Sequence, residues 1–264
     1  MRLYLEVANR AFRQQLTYRA ATLAGLFTNG VFGVFLATVF IAFYRSNGDG
    51  GAAVSGWTVS QTVTMTWINQ SIIMLVFMWG WWEIAITIQS GAVVTDMLKP
   101  MNYFAYWLSR DLGRAFAQVF IRFAPTFLIG WILFDLEPPA SFANTIAFAL
   151  SIAMAVGLSF TWRFMLNIST FWVLDYRGIS MMAVAFVNIL SGFLMPLAFF
   201  PDVLQPVLYS LPFRGMVQMP SEMYLGQTSI IRGLLFQFAW LVVMILFAQW
   251  VFARAQRKVV VQGG

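Results

Sequence analysis

The chain has 264 residues, 60% of them hydrophobic and only 10% charged, against about a quarter charged in a soluble domain, so water is not its main solvent. Its net charge of +6 comes without a basic patch interleaved with aromatics, which sets nucleic acid aside as a partner. Cysteine and histidine are both absent, which excludes disulfides, thiolate chemistry, imidazole metal ligands and a histidine general base.

Residues 1–19 predict an amphipathic helix, with Leu5, Ala8, Phe12 and Leu16 on one face and Arg2, Asn9, Arg13 and Thr17 on the other. Such a helix lies along a membrane surface. Residues 20–44 are an uncharged run of 25, longer at about 1.5 Å per residue than a hydrocarbon core of about 30 Å. The run does not alternate as a barrel strand would, so its backbone is satisfied as a helix. Gly25, Asn29 and Gly33 recur in it at spacing four and suit close helix packing. Residues 46–56 read as a short loop. The second span, 62–82, clusters Thr62, Thr66, Asn69 and Gln70 on one face, which suits either a substrate path or hydrogen bonding to a neighbouring helix. Trp79, Trp81 and Trp82 at its end form an interfacial belt.

Residues 83–114 lead to a third span at 115–134 and are far longer than the usual connection of about 2–8 residues. They carry Ile84, Ile86, Ile88, Val93, Met97 and Leu98, broken by Gly91 and by Lys99 with Pro100, and so predict a folded segment that docks onto something. In the third span, Arg122 has a stem long enough to snorkel to the interface, and Pro125 predicts a kink. The fourth span, 141–163 with an extension to Leu174, carries a ladder of small residues at Ala143, Ala147, Ser151, Ala155 and Ser159. Spans at 178–200 and 230–253 follow. Between them, residues 196–226 place Pro196, Pro201, Pro206, Pro212 and Pro220 in an apolar setting, which rules out one straight helix and predicts short re-entrant or interfacial helices.

Six spans put both termini on one face. With that face cytosolic, thirteen basic residues fall inside and only Arg45, Arg214 and Arg232 outside, as the positive-inside rule requires. The fold class is therefore all-α, a single polytopic membrane domain of six transmembrane helices. No phosphate-binding glycine loop is present, and neither Lys99 nor Lys258 pairs with a serine, so no catalytic, metal or cofactor residue is assigned to this chain. The spans also lack a central carboxylate, which argues against a proton- or sodium-coupled carrier.

Three stretches bear a likeness to a known family. They are Leu16, Thr17, Tyr18 and Arg19 ahead of the first span; Ile88, Gln89, Ser90 and Gly91 with Asp96, Met97, Leu98, Lys99 and Pro100; and Ser191, Gly192, Phe193, Leu194, Met195, Pro196 and Leu197 with Phe200, Pro201, Leu211, Pro212 and Phe213. In their order and spacing the chain resembles the membrane subunit of type 2 ABC exporters. The resemblance implies that residues 83–114 hold a coupling helix that docks into a separate ATPase through Ile88, Gln89, Ser90, Gly91, Asp96, Leu98, Lys99 and Pro100. It also implies two ATPase copies that hold ATP and magnesium, a second permease chain, identical or related, and re-entrant helices in 196–226. The setting would be the cytoplasmic membrane, with both termini cytosolic, and the cargo drug-like, lipid or otherwise amphiphilic. Thr66, Asn69, Gln70, Phe199 and Phe200 are the candidate lining of the path. The competing classes are an ATPase-independent channel or secondary carrier, and a scaffold.

Overall fold

The computed structural model describes residues 2–17, 19–46, 53–76, 80–173 and 175–258, and every regular element among them is helical. Helices α1 (Arg2–Thr17), α2 (Arg19–Ser46) and α3 (Val59–Val76) are followed by a short hairpin, α4 (Glu83–Gln89) and α5 (Val93–Met97). Helix α6 (Tyr103–Gln118) runs through a π-helical turn, Val119–Phe123, into α7 (Ala124–Phe134). Then come α8 (Phe142–Ile168), α9 (Tyr176–Leu190), α10 (Gln205–Ser210), α11 (Gln218–Leu225) and α12 (Ile230–Ala255). Among the described residues, four stretches are long and apolar enough to cross a membrane: Thr22–Ser46, Tyr103–Phe134, Phe142–Phe171 and Ile230–Lys258.

The bundle is built around α3. Fourteen of its 18 residues are buried, among α2, α6, α7, α8 and α11. Thr62, Thr64, Thr66, Asn69, Gln70 and Ser71 are all interior, which a helix tolerates where neighbours and its own carbonyls take the hydrogen bonds. Conversely, the most apolar spans, in α2 and α12, are the least buried. Polar inside and apolar outside is the arrangement that lipid selects. Trp67 of α3 fits between Gly33 of α2 and Gly130 of α7, where a side chain at either glycine would collide with the indole.

On α8, Ser141 caps the N-terminus by accepting from the Asn144 amide at 3.2 Å. Its small-residue ladder is buried from Ala147 through Ser151, Ala155 and Ser159, under α12 and α11, while Ala143 is exposed. Gln237 of α12 crosses this contact, donating to the Ser151 carbonyl at 3.1 Å and the Gly215 carbonyl at 2.8 Å.

Several boundaries differ from the sequence expectation. The third long helix begins at Tyr103 rather than near 115, because Asn102 caps it through the Ala105 amide at 2.8 Å. Helix α9 ends at Leu190 rather than reaching 200, since Gly192 turns left-handed (φ +76°) and Pro196 follows. At 15 residues α9 is about 22 Å long, short of a bilayer core of about 30 Å. Pro125 falls in the first turn of α7, directly after the π turn that absorbs its missing donor. Arg122 sits in that turn, buried, with its guanidinium against Gly25 of α2. Helix α1 packs on α6, where Gly113 admits the backbone of Ala8, and it leaves Leu5 and Leu16 exposed. Trp79, Leu174 and residues 47–52 lie outside the described residues.

Candidate functional site

The segment singled out at 83–114 folds as the α4–α5 hairpin plus the first turns of α6. One face is anchored, with Ala85 buried and Ile84 and Val93 in a cluster with Tyr103, Phe104 and Trp107 of α6 and Phe160, Phe164 and Ile168 of α8. The other face is open. Leu98 is 80% exposed and Ile86 52%, beside exposed Gln89, Ser90, Gly91, Lys99 and Pro100. Gly91 makes the bend at φ +75°, and a Cβ there would touch nothing, so glycine is required for backbone conformation alone. Asp96 and Lys99 pair at 2.6 Å, and this bond, reinforced by the carboxylate charge, raises the Lys99 pKa above its ordinary value. Ile88 and Asp96 are half-buried at the rim of this face.

Beneath the hairpin lies a charged root. Asp111 of α6 accepts two hydrogen bonds from Arg163 of α8, at 3.1 and 2.8 Å, and a third from Arg114 at 2.8 Å. Arg114 also donates to the Met74 and Leu75 carbonyls at the end of α3, and Ser159 of α8 donates to the carbonyl of Val76. These carbonyls belong to the last described turn of α3, where the guanidinium serves as a cap. Asn167 of α8 then reaches the hairpin itself, accepting from the Ala85 amide at 3.0 Å and donating to the Trp81 carbonyl at 2.6 Å. Arg110 pairs with Glu83 at the start of α4 and lies over the Trp107 ring at 5.1 Å. The hairpin is thus tied through polar bonds to α6 and α8, which in turn hold the end of α3 through Arg114 and Ser159.

The residues nominated for a path lie toward the other end. Thr66 donates to the Thr62 carbonyl at 2.8 Å, and the Gln70 carbonyl accepts from Asn29 of α2 at 3.3 Å. Asn69 donates to the Gly192 and Phe193 carbonyls at 3.1 and 3.3 Å and accepts from Ser221 of α11 at 3.0 Å. Phe199 packs on Phe40, Phe43 and Tyr44 of α2, and the Phe200 carbonyl accepts from Gln205 at 2.8 Å. Asn69, Gly192 and Ser221 meet at one point, while Phe199 and Phe200 lie along α2 and α10 respectively.

The sequence reading missed two features. Arg114 and Asp111 stand three apart and were legible as a pair, but Arg163 is 52 residues away and nothing in spacing joins them. The second is a buried ion pair of Arg214 and Glu222 at 2.5 Å in the proline-rich segment, eight residues apart across a break between helices. A family model described as "ABC-2 family transporter protein" matches residues 31–263. No curated protein matches the chain.

Proposed function

The chain belongs to the ABC-2 family of transporter proteins, and from that premise we propose that it is the permease subunit of an exporter powered by a separate ATPase. In this reading the bundle crosses the membrane six times, with α3 and the short α9 counted beside the four long apolar stretches, and both termini face the cytosol. The α4–α5 hairpin docks into the ATPase through Leu98, Ile88, Gln89, Ser90, Gly91 and the Asp96, Lys99, Pro100 turn. Two permease chains, identical or related, and two ATPases complete the assembly, with ATP and magnesium held by the ATPase. The cargo is amphiphilic, drug-like or lipid.

The observation that carries this reading is the contrast across the hairpin. Its exposed face presents Leu98 and Ile86, which no other described residue covers, while its root is locked to the bundle helices. A displacement imposed on the exposed face therefore reaches the ends of α3, α6 and α8 as one body. Transport follows as alternating access: nucleotide binding favours one packing of the two permease halves over another, and the difference in affinity drives the shift. Thr66, Asn69, Gln70, Phe199 and Phe200 are assigned to the path because α3 and the turn after α9 must part there for cargo to pass.

The test is ATP-dependent transport and ATPase stimulation in liposomes holding the permease with its ATPase. Leu98→Ala should lower both at unchanged melting temperature, since its side chain is exposed, and Gly91→Ala should lower both with a small fall in melting temperature, since alanine is strained at that φ. Undiminished transport in both variants removes the docking assignment.

A further inference from the structure

The turn that ends α9 is clamped by two side chains, Asn69, which the transport reading places on the path, and Gln218, which it does not use. Gly192 has φ +76°, and the space a Cβ would fill there is taken by Gln218 of α11. The Gln218 backbone amide donates to the Ser191 carbonyl at 3.2 Å, and its side-chain oxygen accepts from the Leu197 amide at 2.7 Å. From the opposite side Asn69 of α3 takes the Gly192 and Phe193 carbonyls. The break in α9 therefore has its exposed backbone groups satisfied by two buried amides, one from α3 and one from α11.

Gln218 is itself held. Its side-chain amide donates to Glu222 at 2.6 Å, and Glu222, 2% exposed, is paired with Arg214. The Arg214 guanidinium lies over the Tyr209 ring at 4.4 Å. A buried carboxylate, held by a half-buried guanidinium, sets the rotamer of one glutamine, and that glutamine sets one turn. Hydrophobic packing alone would not need the charges, because a buried ion pair is weak as a source of stability and better suited to fixing a single arrangement. Helix α9, by contrast, buries only Ala183 and Val187. Its position depends heavily on the clamp at its end.

We propose that Gln218, oriented by Glu222 and Arg214, is a positioning residue that latches the turn at residues 191–197 closed, and that releasing this latch is the step that opens the path on that side. The inference rests on the transport reading above for the meaning of the opening, while the latch itself rests on the bonds at Gly192. Glu222 and Arg214 act through Gln218 and need not touch cargo.

The chain has no cysteine, so a reporter can be placed without altering the background. Ala198→Cys is at a buried position beside Leu197, and Ala248→Cys is at a buried position on α12 in the cluster under the hairpin, which shares no buried residue with the core around the clamp. The assembled permease and ATPase in nanodiscs would be labelled with a water-soluble maleimide, with and without trapped nucleotide. In the otherwise unaltered chain the Ala198→Cys reporter should react slowly without nucleotide and faster with it. Adding Glu222→Gln, which keeps size and shape, or Gln218→Leu should raise the nucleotide-free rate about tenfold, as expected for losing one hydrogen bond to a charged group. The Ala248→Cys reporter should not change. Equal labelling of Ala198→Cys in both backgrounds, or equal acceleration at both reporters, overturns the latch. Acceleration confined to Ala198→Cys in a chain that shows no ATP-driven transport would leave the latch standing and sink the transport reading instead.

Discussion

Asp111 is the residue on which most of the hairpin root depends. It faces two guanidinium groups, Arg114 and Arg163, and all three are buried or nearly so. Asp111→Asn leaves two cations without their counter-ion, a change that costs roughly 3–5 kcal/mol when one partner of a buried pair is lost. We expect a clear fall in the detergent melting temperature of Asp111→Asn. The double variant Asp111→Leu with Arg163→Met should fall less, because it removes a charge of each sign. Equal or greater loss in the double variant would show that the root works by shape rather than charge. At this scale the sequence was informative where chemistry is local. Gly91 and Pro196 stood out as backbone punctuation and do interrupt the chain, whereas Gly192 was read inside the fifth span. Arg163 was visible only as a basic residue near a helix end, because its partner is supplied by tertiary packing.

Among the elements, α3 is the instructive case. Its threonines, Asn69 and Gln70 were visible as a polar face, but the two readings of that face, path or packing, were indistinguishable without knowing what surrounds it. In the structure α3 is buried on nearly all sides, so its polar groups meet carbonyls and side chains of other helices. The contact through Trp67 gives a sharp test of this placement. Gly130→Val should drive a side chain into the indole, at a cost of roughly 1–3 kcal/mol typical of overpacking, and Trp67→Leu should recover part of the loss. The readout is the melting temperature of the single and double variants; additive losses would mean the two positions do not meet. The short α9 was misjudged in length because apolar residues continue past Leu190, whereas the backbone does not continue as a helix through Gly192.

For the whole molecule, class was legible from composition because solvent dictates it. A chain this apolar has to hide its polar groups from lipid, and the resulting inversion, with α2 and α12 most apolar and least buried, follows from the same rule. The helical class and the short helices of the proline-rich segment were also readable, since long non-alternating runs and closely spaced prolines leave few alternatives. Neither the burial of α3 nor the clamp on Gly192 was, because both depend on which helices pack together, down to Asn69 meeting Gly192 and Ser221 across more than 100 residues. The family match over residues 31–263 joins these observations to transport. The most direct test of the central claim is cargo uptake into liposomes carrying this chain alone, the ATPase alone, or both, with and without ATP. The account predicts uptake only when both proteins and ATP are present, and full-rate uptake by this chain alone would contradict it.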